Sequence, residues 1–185
     1  VVGPSGAGKD SLIATAKSYF ANDDKVVFAR RCITRASDPY GEAHEPLSVD
    51  DFQRREIAGE FMLTWRAHGL RYGVPQTYAD DLVAGKSVIA NVSRTVIGEA
   101  RARFQPLSVV HVTASPHVLA QRLAGRRRED LANQKSRLDR SVPDNFDGGD
   151  VITIRNDEAL AVAADLFVKH LEAFVGPARN LQPTP

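Results

Sequence analysis

The chain has 185 residues, 43% hydrophobic and 25% charged, the profile of one ordinary globular domain with enough apolar material for a full core. Its 24 Lys and Arg nearly cancel its 23 Asp and Glu, so no long-range field marks a general nucleic-acid binder. The single cysteine, Cys32, cannot form an internal disulfide and favours a reducing compartment. No apolar run nears the roughly 20 residues that span a bilayer, and no basic-then-apolar leader is seen, so a soluble cytoplasmic protein without membrane or nucleic-acid partners is expected.

The chain opens on Val1 and Val2, inside an apolar segment, and residues upstream are expected. After a glycine-rich loop, residues 11–20 read as helix and 25–30 as strand. Residues 34–46 are polar, carry Pro39, Gly41 and Pro46, and read as a loop. Ser48 with Asp51 makes a capping-box-like start for a helix over 49–58. Residues 61–66 and the region around Tyr72 read as short strands flanking a turn at His68 and Gly69, followed by helix from Pro75, broken at Gly85. Further strands are expected at 87–91, 108–113 and 151–154. Helices are expected at 95–104, from the Ser115 and Pro116 start to Gly125, at 131–141 and at 158–174. One domain over 1–175 with a flexible tail over 176–185 follows. The alternation predicts an α/β fold, a mostly parallel sheet with helices on both faces and ligands at the carboxyl ends of its strands.

The segment Gly3, Pro4, Ser5, Gly6, Ala7, Gly8, Lys9 fits G-x-x-x-x-G-K between an apolar segment and a helix, the context a phosphate-binding loop requires. Its glycines let backbone N–H groups surround phosphates, and Lys9 reaches the terminal ones. One residue departs from the pattern. Asp10 stands where Ser or Thr ordinarily ligates magnesium, with Ser11 one place later. A carboxylate there is a candidate oxygen ligand for Mg2+; the alternative is an acidic first-turn residue favoured by the helix dipole.

The order GPSGAGKDSL, CITRA, GEAHEPLS, WRAHGLRYGVP, RLAGRRRED, SRL and IRND resembles the guanylate kinase-like P-loop family over nearly the entire chain. Within it, the GKDS and GEAH segments and the tryptophan-containing segment are similar to the ribose 1,5-bisphosphate phosphokinases. The resemblance implies ATP and Mg2+ as cofactors and ribose 1,5-bisphosphate as acceptor, giving 5-phosphoribosyl 1-diphosphate in phosphonate catabolism. It implies an acceptor region over about 34–77 and a lid over about 122–140.

By the same resemblance Arg35 and Tyr72 hold the acceptor phosphate. His44 stands where guanylate kinases have another phosphate-contacting tyrosine, and Asp38 where they have a second arginine. Thr64 stands where they place the glutamate that reads guanine, so guanine recognition is expected to fail; Arg66, His68, Arg71 and Arg94 are candidates for a second phosphate. Arg122, Arg126 and Arg137 match lid arginines that stabilise the transferring group, with Arg128 and Glu129 extending the lid and Arg127 read as a helix-end cation. Asn156 and Asp157 lie where the family holds adenine, or else cap the final helix. Asn91 and Ser93 fall where an acidic residue approaches acceptor or metal. The alternatives are a nucleoside monophosphate kinase and a non-catalytic interaction module of the same fold. Oligomeric state is not legible in the residues.

Overall fold

The structure, a computed structural model, describes residues 1–36, 43–125 and 148–176. The predicted helix at 131–141, Asp38, the lid positions Arg126, Arg127, Arg128, Glu129 and Arg137, and residues 177–185 of the tail lie outside the described residues.

Val1 and Val2 run through the middle of a parallel sheet. On one side Val1 bonds to strand β6 (Ser87–Ile89) and the residues after it, through Val1 N to Ala90 O at 2.8 Å and Val92 N to Val1 O at 3.0 Å. On the other, Val2 N and O each pair at 2.9 Å with strand β7 (Val109–Thr113). Strand β1 (Val26–Phe28) extends the sheet beyond β6, and β8 (Val151–Arg155) extends it beyond β7, both pairings parallel. Every strand therefore points its carboxyl end the same way.

Both faces of the sheet are covered, because strand alternation sends neighbouring side chains to opposite sides. Val110 and Val112 face helices α1 (Lys9–Tyr19) and α6 (Leu160–Val175), where Leu12, Ala16 and Phe167 complete the cluster. Val2 and Val109 face Ile97 of α4 (Ile97–Arg103). Fully burying a side chain such as Leu12 or Phe167 is worth about 1.5–3 kcal/mol each, and both are wholly inaccessible.

A second sheet stands beside the first, in the order β3 (Glu45–Pro46), β2 (Cys32–Ile33), β5 (Leu70–Pro75), β4 (Phe61–Ala67). β4 and β5 form a hairpin whose turn residues, His68 at φ 53° and Gly69 at φ 72°, supply the paired positive φ values that a two-residue turn demands. Helix α2 (Val49–Ile57) begins as expected, Ser48 Oγ accepting the Asp51 N–H at 3.0 Å. Its Phe52 stacks on Phe61 with centroids 4.6 Å apart.

Three expectations are corrected. The end of the expected 34–46 loop is a strand, because Glu45 and Pro46 pair with Cys32 and Ile33. Pro75 closes β5, and helix α3 (Tyr78–Val83) begins only afterwards. The final helix takes Ala159 as its N-cap without a side-chain bond, so Asn156 and Asp157 do not cap it. A 3-10 turn (Arg94–Val96) precedes α4, and α5 (Pro116–Gly125) follows β7.

Candidate active site

The phosphate loop joins Val2 to α1 at the carboxyl end of the parallel sheet. Two glycines in it are dictated by crowding. A Cβ on Gly3, at φ 143°, would lie 1.9 Å from the Val112 carbonyl oxygen, and one on Gly8, at φ 93°, 2.3 Å from Asn156 Nδ2. Lys9 folds back along the loop, its Nζ donating to the carbonyls of Gly3 at 2.8 Å and Pro4 at 2.9 Å. The ammonium is thereby fixed over the loop's backbone, where a terminal phosphate would be met.

Asn156 and Asp157 follow β8 and brace this loop from beneath. Asn156 is buried, its backbone N–H bonded to Thr113 O and its Nδ2 donating 2.8 Å to Ala7 O. Its Oδ1 is buried without a partner among the described residues. Asp157 accepts the Ser115 backbone N–H, and that bond holds its carboxyl below the usual carboxylate range, with Arg155 adding to the effect at 3.3 Å. The loop end and the start of α5 are thus pinned from the same turn. From α5, Arg122 Nη1 comes within 3.5 Å of Gly6 O, bringing a second cation to the loop.

Asp10 lies in the first turn of α1, exposed, with Oδ1 accepting 2.8 Å from Asn91 Nδ2. These two candidates, separated by 81 positions, come together. Ser11, beside Asp10, is exposed, its carbonyl accepting from Thr15 Oγ1. Ser93 turns instead to local work, its Oγ accepting from Thr95 N at 3.3 Å at the 3-10 turn. Asp10 and Asn91 offer oxygen donors, the chemistry Mg2+ selects. Among the described residues no group of three or more His, Cys, Asp or Glu could hold a metal.

Among the residues expected to hold the acceptor, Tyr72 sits opposite Trp65 across the hairpin, rings stacked at 5.4 Å and 6°. The guanidinium of Arg31, itself buried, lies 5.7 Å from the Trp65 ring centre and 5.5 Å from that of Tyr72. Arg35 is exposed two residues past Ile33, which pairs with Tyr72. His44 is buried, with Nε2 3.1 Å from the Arg35 carbonyl, and so steadies the Arg35 backbone.

Thr64 is not brought together with Tyr72. It opposes Gly73, and alternation puts it, with Arg66 and Arg71, on the hairpin face opposite Trp65 and Tyr72. Arg71 on that face reaches Glu56 of α2 at 3.5 Å. The face shared with Tyr72 carries Leu63 and Trp65, in one buried cluster with Val74. Among the other second-phosphate candidates, His68 is at the turn and Arg94 in the 3-10 segment.

Sequence reasoning passed over Arg31. Nothing in Arg30-Arg31 distinguishes the buried guanidinium from its neighbour, although the Trp65 and Tyr72 pairing was readable, since both are equidistant from the turn. A cavity of about 740 Å3 opens at the opposite end of the sheet, lined by residues such as Lys25, Ser87, Ser108 and Leu171. It has no part in the phosphate loop.

A phosphate loop at the carboxyl end of a parallel sheet, with a mixed, mostly antiparallel sheet standing beside it, defines a P-loop kinase of guanylate kinase fold. A guanylate kinase structure from Anaplasma phagocytophilum matches with a TM-score of 0.67 and 18% identity, covering 94% of this chain and 84% of that one, a likeness of fold. No family model matches the chain. It is 44% identical over 171 residues to the ribose 1,5-bisphosphate phosphokinase PhnN of Brucella melitensis biotype 2, covering 92% of this chain and 89% of that protein. To the PhnN of Acidiphilium cryptum it is 52% identical over 142 residues, 77% of this chain and 75% of that protein. It is also 47% identical over 173 residues to a bifunctional ribose 1,5-bisphosphokinase-thymidine phosphorylase of Azorhizobium caulinodans, of whose length it spans only 25%. The chain belongs to the ribose 1,5-bisphosphate phosphokinase (PhnN) family. A non-catalytic module is set aside, since the family is one of enzymes and Lys9 keeps its place.

Proposed function

We propose that this chain transfers the γ-phosphoryl group of ATP to the 1-phosphate of ribose 1,5-bisphosphate, giving ADP and 5-phosphoribosyl 1-diphosphate, as a step of phosphonate catabolism. The observation that carries the reading is the 44% identity, over 89% of its length, to a relative named for this activity. The acceptor phosphate is already an ionised nucleophile at neutral pH, so the protein's work is positioning, charge neutralisation and exclusion of water rather than proton removal.

In this reading Lys9 and the loop N–H groups hold the β- and γ-phosphates of ATP. Arg122, with Arg126 and Arg137, answers the charge on the transferring group. Asn156 and Asp157 fix the loop beside the adenine side. Arg35 and Tyr72 grip the acceptor, and the buried Arg31 adds positive potential over the Tyr72 ring. Asp10 would hold magnesium, which would supply neutralisation of phosphate charge. One domain over 1–175, an acceptor region over about 34–77, a lid over about 122–140 and a cytoplasmic setting belong to the same proposal. Among the described residues no helix is long and apolar enough to cross a membrane.

The test is ADP release with ribose 1,5-bisphosphate and GMP offered in separate assays, with the product identified by mass. Turnover with the bisphosphate and little with GMP is expected. Preference for GMP would make the chain a nucleotide kinase.

A further inference from the structure

In P-loop enzymes the magnesium side of the site ordinarily combines a hydroxyl, on the residue after the loop lysine, with a carboxylate at a strand end. Here the residue after Lys9 is the carboxylate Asp10, and the strand-end residue facing it is the amide Asn91. Asn91 sits two residues past the end of β6, at the carboxyl edge of the sheet, beside the segment that leads into the loop. It is buried, with 8% of its surface exposed, and its Nδ2 donates 2.8 Å to Asp10 Oδ1. Asp10 itself is exposed, and the amide of Asn91 engages its Oδ1. Were both positions acidic, two carboxylates would meet at hydrogen-bond distance and repel. Were both neutral, the site would lose its one anionic oxygen donor for a hard cation.

We infer that Asp10 and Asn91 form an exchanged metal anchor: the carboxylate has moved from strand to loop, and Asn91 is the positioning residue that aims Asp10 at the metal–nucleotide. The inference rests on the ATP-dependent reading above and on no assumption about the acceptor. Of the two roles expected for Asn91, toward acceptor or toward metal, it takes the second.

The exchange predicts a rescue. Asp10→Ser alone removes the carboxylate, and Asn91→Asp alone creates a like-charged pair. Asp10→Ser combined with Asn91→Asp restores one carboxylate and one neutral partner in the reverse order. Mn2+ binding in the presence of ADP, read by electron paramagnetic resonance, is the primary measurement, with metal-free thermal unfolding as the control for folding and ADP release as a separate arm. Asp10→Ser is expected to weaken Mn2+ by at least about tenfold, and Asn91→Ala, which adds no charge, by about tenfold. Asn91→Asp should lower the metal-free melting temperature and regain it with Mn2+ and ADP. The double variant should bind Mn2+ more tightly than Asp10→Ser.

Wild-type Mn2+ affinity in Asp10→Ser overturns the inference, as does a double variant no better than Asp10→Ser that still melts cooperatively. If the double variant does not fold, unchanged Mn2+ affinity in Asn91→Ala overturns it instead. Absence of turnover with ribose 1,5-bisphosphate in every form, with the Mn2+ pattern intact, would sink the acceptor assignment and leave the anchor standing.

Discussion

Lys9 Nζ is held by two loop carbonyls, so contact with a phosphate exchanges neutral acceptors for charged ones. Lys9→Ala should leave far-ultraviolet circular dichroism unchanged and lower kcat about a hundredfold or more, the loss of about 3 kcal/mol expected for one transition-state charge contact. Activity within a fewfold of wild type would remove the loop from the mechanism. Thr64 supports the opposite prediction. Because it lies on the opposite face of the hairpin from Tyr72, Thr64→Glu should leave the KM for ribose 1,5-bisphosphate within about twofold, as expected of a substitution with no substrate contact. A large rise in KM would return Thr64 to the acceptor site. The residues of the phosphate loop were legible because their chemistry is local: spacing, glycine and lysine suffice. Asn91 and Asp10 were each visible, but their bond spans 81 positions, and no local pattern encodes it.

At the scale of elements, α4 is tied to the start of β8 by a two-pronged bond, Arg101 Nε and Nη2 donating to Asp150 at 2.8 and 2.7 Å. That bond holds the Asp150 carboxyl below its ordinary 3.8. A carboxylate depressed in the folded state contributes stability that is complete above its unfolded pKa and fades as pH falls through the folded one. Asp150→Asn should therefore cost about 1 kcal/mol at neutral pH, and its unfolding curve should converge on wild type in acid well below 3.8. A gap that persists there would assign the cost to packing. Helices α1, α2 and α5 were readable because caps and periodicity are written in adjacent residues. β3 was not, since Glu45 and Pro46 are extended only by virtue of pairing with Cys32 and Ile33. The helix expected from Pro75 failed for the same reason: the β4 partner Phe61 claims Pro75 for the sheet.

For the whole molecule, the loop grows out of the middle of the parallel sheet, so a nucleotide on it is coupled to the core that Leu12 and Phe167 complete. Ligand that binds only the folded state stabilises it by mass action, about 2.7 kcal/mol at a hundred times Kd. For a chain of this size that corresponds to a rise in Tm of roughly 5–10 °C, and Mg·ATP should produce it in wild type but much less in Lys9→Ala. An equal rise in both would place the nucleotide elsewhere. The aromatic stack in the second sheet has an optical consequence. Trp65 is the single tryptophan in 185 residues, and it is 8% exposed against Tyr72 and Arg31. Excited at wavelengths where tyrosine is silent, the protein has one emitter, and that emitter touches the residue proposed to grip the acceptor. Its emission should be blue-shifted in the folded state and should change on adding ribose 1,5-bisphosphate, so acceptor binding can be titrated on the unlabelled protein, separately from turnover.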